Sequence, residues 1–453
     1  MGQRSALFSK ARSARPRLRT GGSWLLAALL LGVAAAAPVS AETFTLAKTI
    51  DRALEANLGL KIARAETEAA EHTRRARQTE FLPTFSANYS YVYHDEERRS
   101  LGVLTRPKDE YSFSATIRQP LFAGFAILNQ YKIAELSETL ALYQEKANRR
   151  DIFFEARNAY FSILKAEKIT EVSDQAVTQL IANHKVARDF YQVGMIPYND
   201  LLKAEVELAN ARQDRIVALN RLKVSQANFN TLLRRPISAP VVLKALRGYA
   251  PLTLTLESCL ASAKQNRQEF LVGNLQVNIA EREVDLDRRS LFPSVALEGT
   301  YFRQETGFVV GAGDPVGFID DPDGWDISAV ATWDFWQWGR TSHSIKEKLS
   351  RLAQARYQRE EVSDAIELEV KEAYLQTQDS ESNILAVEKA VEQARENFRI
   401  TEQRFAEQMA TTTDVLDAQT LLSRTLTNYY NALYDFKISK AALYRAMGME
   451  EMP

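Results

Sequence analysis

Trp325-Asp326-Ile327-Ser328-Ala329-Val330-Ala331-Thr332-Trp333-Asp334 is the stretch that decides the fold. Trp325, Ile327, Ala329, Ala331 and Trp333 share one parity, and Asp326, Ser328, Val330, Thr332 and Asp334 the other. A period of two is that of a strand with one apolar and one polar face. Three more runs read the same way. Phe85, Ala87, Tyr89, Tyr91 and Tyr93 alternate with Ser86, Asn88, Ser90, Val92 and His94. Tyr111, Phe113, Ala115 and Ile117 stand against Ser112, Ser114, Thr116 and Arg118. Val295, Leu297 and Tyr301 alternate with Ala296, Glu298 and Thr300. Strands are expected at about 84–95, 109–121, 294–303 and 325–336. A half-buried strand in a soluble sheet shows such alternation, and so does a lipid-facing strand around a wet lumen.

The N-terminus favours the lipid. Six basic and no acidic residues lie in 1–41, followed from Trp24 to Val33 by an apolar run and then by Val39-Ser40-Ala41. This is the plan of a cleaved export signal over 1–41. No cysteine directly follows the apolar run, which excludes a lipid anchor on a processed cysteine. Beyond it no run reaches the ~20 apolar residues of a spanning helix. An exported chain of this kind enters a membrane only as a β-barrel. Without the leader, 51 basic residues face 58 acidic ones, a surface that does not attract nucleic acid.

Outward from the strands, the chain reads as written twice. Phe81-Leu82-Pro83-Thr84-Phe85 matches Leu291-Phe292-Pro293-Ser294-Val295 at an offset of 210. Gly124 matches Gly339 at 215, and Asp200-Leu201-Leu202 matches Asp414-Val415-Leu416 at 214. Matches in constant order at a near-constant offset imply one structural unit per half, 42–250 and 251–453. Each half is expected to run helix, strand, strand, long helix, long helix, a mainly α chain with a small β part. Residues 46–80 read as one helix, ended by Pro83. Polar stretches 96–108 and 304–324 read as exposed loops between strands. Gly124 and Gly339 stand where strand gives way to helix, an abrupt turn that glycine accommodates. Residues 126–192 hold no proline or glycine. As one helix they would span roughly 100 Å. Long helices are expected at about 126–193, 198–233, 341–408 and 412–447. Leu422, Leu426, Tyr429, Leu433 and Phe436 follow coiled-coil seam spacing and read as helix packing.

This duplicated plan resembles the TolC-like outer membrane efflux proteins. So do Gln119-Pro120-Leu121-Phe122-Ala123-Gly124 at the strand exit and Asp414-Val415-Leu416-Asp417-Ala418-Gln419 in the last hairpin. The resemblance implies a homotrimer. Four strands per copy would close a twelve-stranded barrel in outer-membrane lipid, continued by a periplasmic α-barrel. It implies a passive exit duct of a tripartite efflux or type I secretion system. A periplasmic adaptor and an inner-membrane pump, of resistance-nodulation-division or ABC type, would be its partners. Asp414 and Asp417 match the family's pore-constriction aspartates, with Asp200 as the first-half counterpart. Asp414 also reads as a helix N-cap after Thr411-Thr412-Thr413, and Asp200 as a similar cap. Ala410 and Phe405 stand where family members often carry Arg and Tyr, which argues against a hydrogen-bonded latch here. Val193-Gly194-Met195 resembles the adaptor-docking tip, with Glu407-Gln408-Met409 as the second site. Gly194 equally suits an ordinary helix C-terminus.

Catalysis finds little footing. His72, His94, His184 and His343 are scattered without metal-ligand spacing, and no phosphate loop, Gly-x-Ser-x-Gly or dinucleotide fingerprint occurs. The acidic cluster around Asp320–Asp323 lacks EF-hand spacing. No cofactor or metal is expected. The lone Cys259 forms no internal disulfide and reads as core. The rival reading is a soluble periplasmic coiled-coil adaptor or scaffold, against which the four alternating strands argue.

Overall fold

Proline and glycine punctuate the fold. The computed structural model describes residues 43–100, 103–106, 108–245, 248–306 and 323–450. The expected leader and the centre of the expected loop 304–324 lie outside the described residues. The first half runs β1 (Thr43–Phe44), α1 (Leu46–Ala56), α2 (Leu58–Thr79), β2 (Thr84–Tyr93), β3 (Arg98–Ser100), β4 (Val103–Arg106), β5 (Asp109–Ala123), α3 (Ala126–Gln192) and α4 (Tyr198–Leu232). After β6 (Val242–Leu243) come α5 (Leu256–Asn266), α6 (Gln268–Asp287), a 3₁₀ turn, β7 (Ser294–Thr306), β8 (Asp323–Thr332), α7 (Arg340–Ala406) and α8 (Thr412–Ala446). The helices α3 and α7 each have 67 residues, and α4 and α8 each have 35.

Several expectations need correction. The single helix over 46–80 is two, broken at Asn57, whose φ/ψ of −61/126 leaves the helical region. Its side chain accepts the Leu60 N–H at 3.1 Å and so starts α2. Arg267 makes the same break between α5 and α6. The stretch 96–108 is not only loop, because β3 and β4 pair within it. The strand expected over 325–336 begins at Asp323 and stops at Thr332. Its partner β7 starts at Ser294, directly after Pro293, so residues past Thr332 have no ladder to join. The strand expected over 294–303 runs to Thr306, that over 84–95 stops at Tyr93, and that over 109–121 runs to Ala123.

The order in the main sheet is β2-β5-β7-β8, antiparallel throughout. Register collects the two parities on opposite faces. Phe85 pairs with Ile117, Tyr89 with Phe113, Tyr91 with Tyr111, and Tyr301 with Trp325. On the other face Ser90 and Ser112 hydroxyls meet at 2.7 Å, Thr116 and Thr300 at 3.4 Å, and Arg118 reaches Glu298 at 3.3 Å. Among the described residues β2 and β8 each keep one unpaired edge.

The strand exits need two consecutive left-handed residues. These are Gly124 and Phe125 (φ 59° and 65°) and, in the second half, Trp338 and Gly339 (φ 51° and 85°). At Gly124 a Cβ would also lie 2.6 Å from the Arg289 carbonyl oxygen, so the chain tolerates no side chain there.

Helix α3 packs on α2, α4, α6 and α8, and α7 on α6 and α8. One core gathers Phe44, Ile152, Tyr160, Phe229 and Tyr434. There the Tyr160 hydroxyl donates to the carbonyls of Lys244 (2.6 Å) and Phe44 (3.3 Å), fastening the short parallel β1–β6 pair. A second core holds Cys259, Ile366, Val370 and Leu443, and burial pushes the Cys259 thiol up.

Between these cores six charges close a ring. Arg150 bonds Glu269 through both terminal nitrogens, at 2.7 and 3.1 Å, and Asp151 at 3.1 Å. Asp151 accepts from Arg445 at 2.8 Å, and Arg445 donates to Glu369 at 3.3 Å. Glu369 accepts from Arg267 at 2.7 Å, and Arg267 Nε lies 3.0 Å from Glu269, off the hydrogen-bond direction. Arg150 is 3% and Arg267 6% exposed, so each guanidinium depends on its carboxylates. Burial alone would raise the Glu269 carboxyl, but the Arg150 hydrogen bonds and the charges of Arg150 and Arg267 hold it below its ordinary 4.5. A depressed carboxyl contributes stability that is present above the ordinary value and lost as pH falls through the folded one. Glu269→Gln leaves two buried guanidiniums short of charge and is expected to cost about 3 kcal/mol at neutral pH. It should also flatten the loss of stability below pH 4.5, as read by denaturant titrations of detergent-solubilised protein across pH.

Candidate functional site

The two long hairpins end in turns of one design. At the end of α3 the Met195 N–H donates to the Phe190 carbonyl at 2.8 Å and the Gly194 N–H to Tyr191 at 2.9 Å. At the end of α7 the Met409 N–H donates to Arg404 at 2.7 Å and the Gln408 N–H to Phe405 at 3.0 Å. These paired bonds form a Schellman cap, which requires a left-handed residue after the last helical turn. Gly194 meets that at φ 78° without cost, whereas Gln408 adopts φ 62° with a side chain. Arg404 Nη2 also donates to the Met409 carbonyl at 3.2 Å, a second fastening that the glycine turn lacks. The tips carry exposed apolar side chains: Val193 is 69%, Met409 60% and Met195 47% exposed.

The tips pack side by side. Phe190 meets Phe405 with ring centroids 5.5 Å apart, and Lys203 on α4 donates to the Thr413 hydroxyl at 3.3 Å. Leu416 of α8 joins Leu180, Leu201 and Ala204 in one cluster. Phe405 is buried in a cluster with Phe398 and Val415, and Ala410 packs against that cluster, so both positions are filled by apolar contact.

The start of α8 carries the acidic residues. Thr411, not Asp414, is the N-cap, and Asp414 closes a capping box from the third helical position. The Asp414 N–H donates to Thr411 Oγ1 at 3.2 Å. Asp414 Oδ2 in turn accepts from the Thr411 N–H at 2.8 Å and from its hydroxyl at 2.7 Å. These bonds, backbone first, with a smaller contribution from the Arg404 charge, hold the Asp414 carboxyl below its ordinary value. Asp417 is exposed one turn on, on the same side of α8. Asp200 is not a cap. The N-cap of α4 is Pro197, without a side-chain bond, and Asp200 lies in the first turn accepting from Lys203 at 3.3 Å.

Sequence reasoning missed Thr411, Arg404 and Lys203. The pattern Thr-x-x-Asp at 411–414 was the available signal for the first. The other two act through tertiary contacts that spacing does not reveal. Among the described residues no group of His, Cys, Asp or Glu is placed to hold a metal ion, and no helix is long and apolar enough to cross a membrane.

The family model for outer membrane efflux proteins matches residues 49–233 and 259–449. The chain is 23% identical over 431 residues to the outer membrane efflux protein BepC of Brucella suis, covering 93% of this chain and 89% of that protein. It is 22% identical over 404 residues to the outer membrane protein TolC of Vibrio cholerae, covering 89% and 90%. Its fold matches the CmeC outer membrane channel of Campylobacter jejuni with a TM-score of 0.78 at 15% identity, over 89% of this chain and 85% of that one.

The two caps predict opposite responses. Gln408→Gly removes a left-handed side chain and is expected to stabilise the second hairpin by about 1 kcal/mol, and Gly194→Ala to destabilise the first by about as much. An added Cβ at Gly194 meets nothing within 4 Å, so backbone strain alone is tested. Hydrogen exchange of the tip amides reads both.

Proposed function

The chain belongs to the outer membrane efflux protein family, and from that premise we propose that three copies form one gated exit duct. Its place is the outer membrane of a Gram-negative cell, with its helices extending into the periplasm. The observation that carries the reading is the four-stranded sheet with an apolar face, a polar face and two free edges. Free edges in hydrocarbon leave backbone groups unpaired at several kcal/mol each. Joining β2 of one copy to β8 of the next closes twelve strands and removes every edge. The halves, with equal long helices, are then two copies of one unit, and α3, α4, α7 and α8 of three copies surround a continuous lumen. A soluble scaffold has no use for a sheet of this kind.

The periplasmic tip is the gate. Asp414 and Asp417 from three copies would place six carboxylates round the axis, where they repel one another and attract hydrated cations. Asp200, already neighboured by Lys203, contributes less to that field. The exposed Val193-Gly194-Met195 and Glu407-Gln408-Met409 tips offer apolar contact to a periplasmic adaptor. The energy for transport comes from an inner-membrane pump reached through that adaptor.

Native mass spectrometry from detergent is expected to give three copies, and a folded monomer would overturn the duct. Asp414→Asn combined with Asp417→Asn keeps an acceptor for Thr411 while removing charge. In planar bilayers this pair should raise single-channel conductance and weaken block by divalent cations. Unchanged conductance and block would take both residues out of the gate.

A further inference from the structure

Apart from Trp24 in the leader, the tryptophans of this chain are Trp325, Trp333, Trp336 and Trp338. The last three follow the end of β8 at Thr332, where the ladder has run out, and precede α7. Trp333 and Phe335 keep the parity of Trp325, Ile327, Ala329 and Ala331 and so extend the apolar face past the sheet. Their rings lie 6.0 Å apart, and those of Trp336 and Trp338 lie 5.6 Å apart. All four are exposed, from 57% at Trp333 to 88% at Trp338. Trp325 to Trp333 is roughly 27 Å along an extended chain. Tilted as barrel strands are, that comes close to the ~25 Å apolar band of an outer-membrane barrel. The strip therefore lies at the periplasmic edge of that band.

This strip walls a cleft of about 590 Å³ with Leu291, Ile345 and Leu349 on its apolar side. Lys346 lines it, and Arg340 begins the adjoining helix. Neither cation has an ion pair among the described residues, and Asp334 is the one acid in the lining. Aromatic walls beside uncompensated cations suit an amphiphile with a negative head.

We propose that the cleft seats a phospholipid of the periplasmic leaflet. Its phosphodiester lies against Lys346 and Arg340, and an acyl chain runs along Leu291, Trp333 and Phe335. The inference rests on the barrel reading above, because it continues that barrel's lipid-facing row. The seat favours anionic over zwitterionic headgroups, since Lys346 in the lining and Arg340 beside it together outweigh Asp334.

Tryptophan fluorescence tests it, because the mature chain carries the indole only here and at Trp325. Two single-tryptophan proteins, one keeping Trp325 and one keeping Trp333, with the other indoles changed to Phe, are reconstituted as assembled protein. The vesicles are phosphatidylcholine containing a small fraction of phosphatidylglycerol brominated on its acyl chains. Both indoles should be quenched, with Trp333 reporting about fivefold local enrichment of the brominated lipid, the ratio expected from one added cation near a membrane surface. Lys346→Ala should abolish that enrichment and leave Trp325 unchanged. Equal quenching at both positions means bulk lipid without a seat and overturns the proposal. Trp333 quenched only by aqueous acrylamide overturns it in favour of water. Trp333 shielded from both quenchers while Trp325 responds to lipid overturns it in favour of a neighbouring copy, with the barrel intact. Failure of Trp325 itself to respond to lipid would sink the barrel and the seat together.

Discussion

A β-strand in hydrocarbon has no water to hydrogen-bond its outer edge, and most of this structure answers that constraint. Among the described residues the main sheet is too narrow to close on itself, and β2 and β8 each end it with a free edge. Its faces are nevertheless finished. Ser90 with Ser112, Thr116 with Thr300 and Arg118 with Glu298 satisfy one another on the polar side, while tyrosine, phenylalanine and tryptophan crowd the other. In the trimeric barrel proposed above, a sheet completed on both faces and incomplete at both edges is closed by copies of itself rather than by a covering layer. Two left-handed residues before each 67-residue helix then turn the chain, directly after the strand at Gly124-Phe125 and after a short aromatic stretch at Trp338-Gly339.

Much of this was legible because it rests on local chemistry. Period-two alternation is dictated by strand geometry, and Pro83, Pro293, Gly124 and Gly339 act through backbone angles that a sequence displays directly. The parts that were not legible depend on partners. Trp333 to Phe335 alternate as well as the residues before them, but the strand stops because β7 has not yet begun at Pro293. Residues 46–80 have helical composition throughout, and the break at Asn57 follows from a side chain capping the next helix while α1 packs on α3. The β1–β6 pair is two residues long, too short for any periodic signal, and exists because Tyr160 bonds both strands from below.

The charge ring shows the same limit more sharply. Arg150 and Glu269 are 119 positions apart, and Asp151 and Arg445 are 294 apart. In sequence they are ordinary members of charged helices. In the fold they tie α3 of the first half to α6, α7 and α8 of the second at one level. Below that level α7 runs from Glu369 to Phe405, roughly 50 Å at 1.5 Å per residue, before its turn. The second hairpin is thus fastened at the ring by buried charge, and at its tip by apolar contacts, the Arg404 and Lys203 bonds and the Thr411–Asp414 capping box, with Gln408 strained. The acidic residues stand at that tip, at the start of α8 and far along the hairpin from the ring.

At that tip charge and fold share an atom. Asp414 Oδ2, which accepts both Thr411 donors, is half of the carboxylate that would face the pore. The bonds that build the helix start therefore also keep the group ionised, holding its pKa below the ordinary value. The sign follows from linkage: the cap's contribution is whole above the ordinary carboxylate range and is lost only as pH falls through the depressed folded value. Asp417, one turn further on, has no such bonds. Two acids that read alike in sequence are thus placed differently, one bonded to the start of its helix and the other exposed one turn on. A constriction of the kind proposed above would take its fixed charge from Asp414, beside the packing of Phe405 against Phe190.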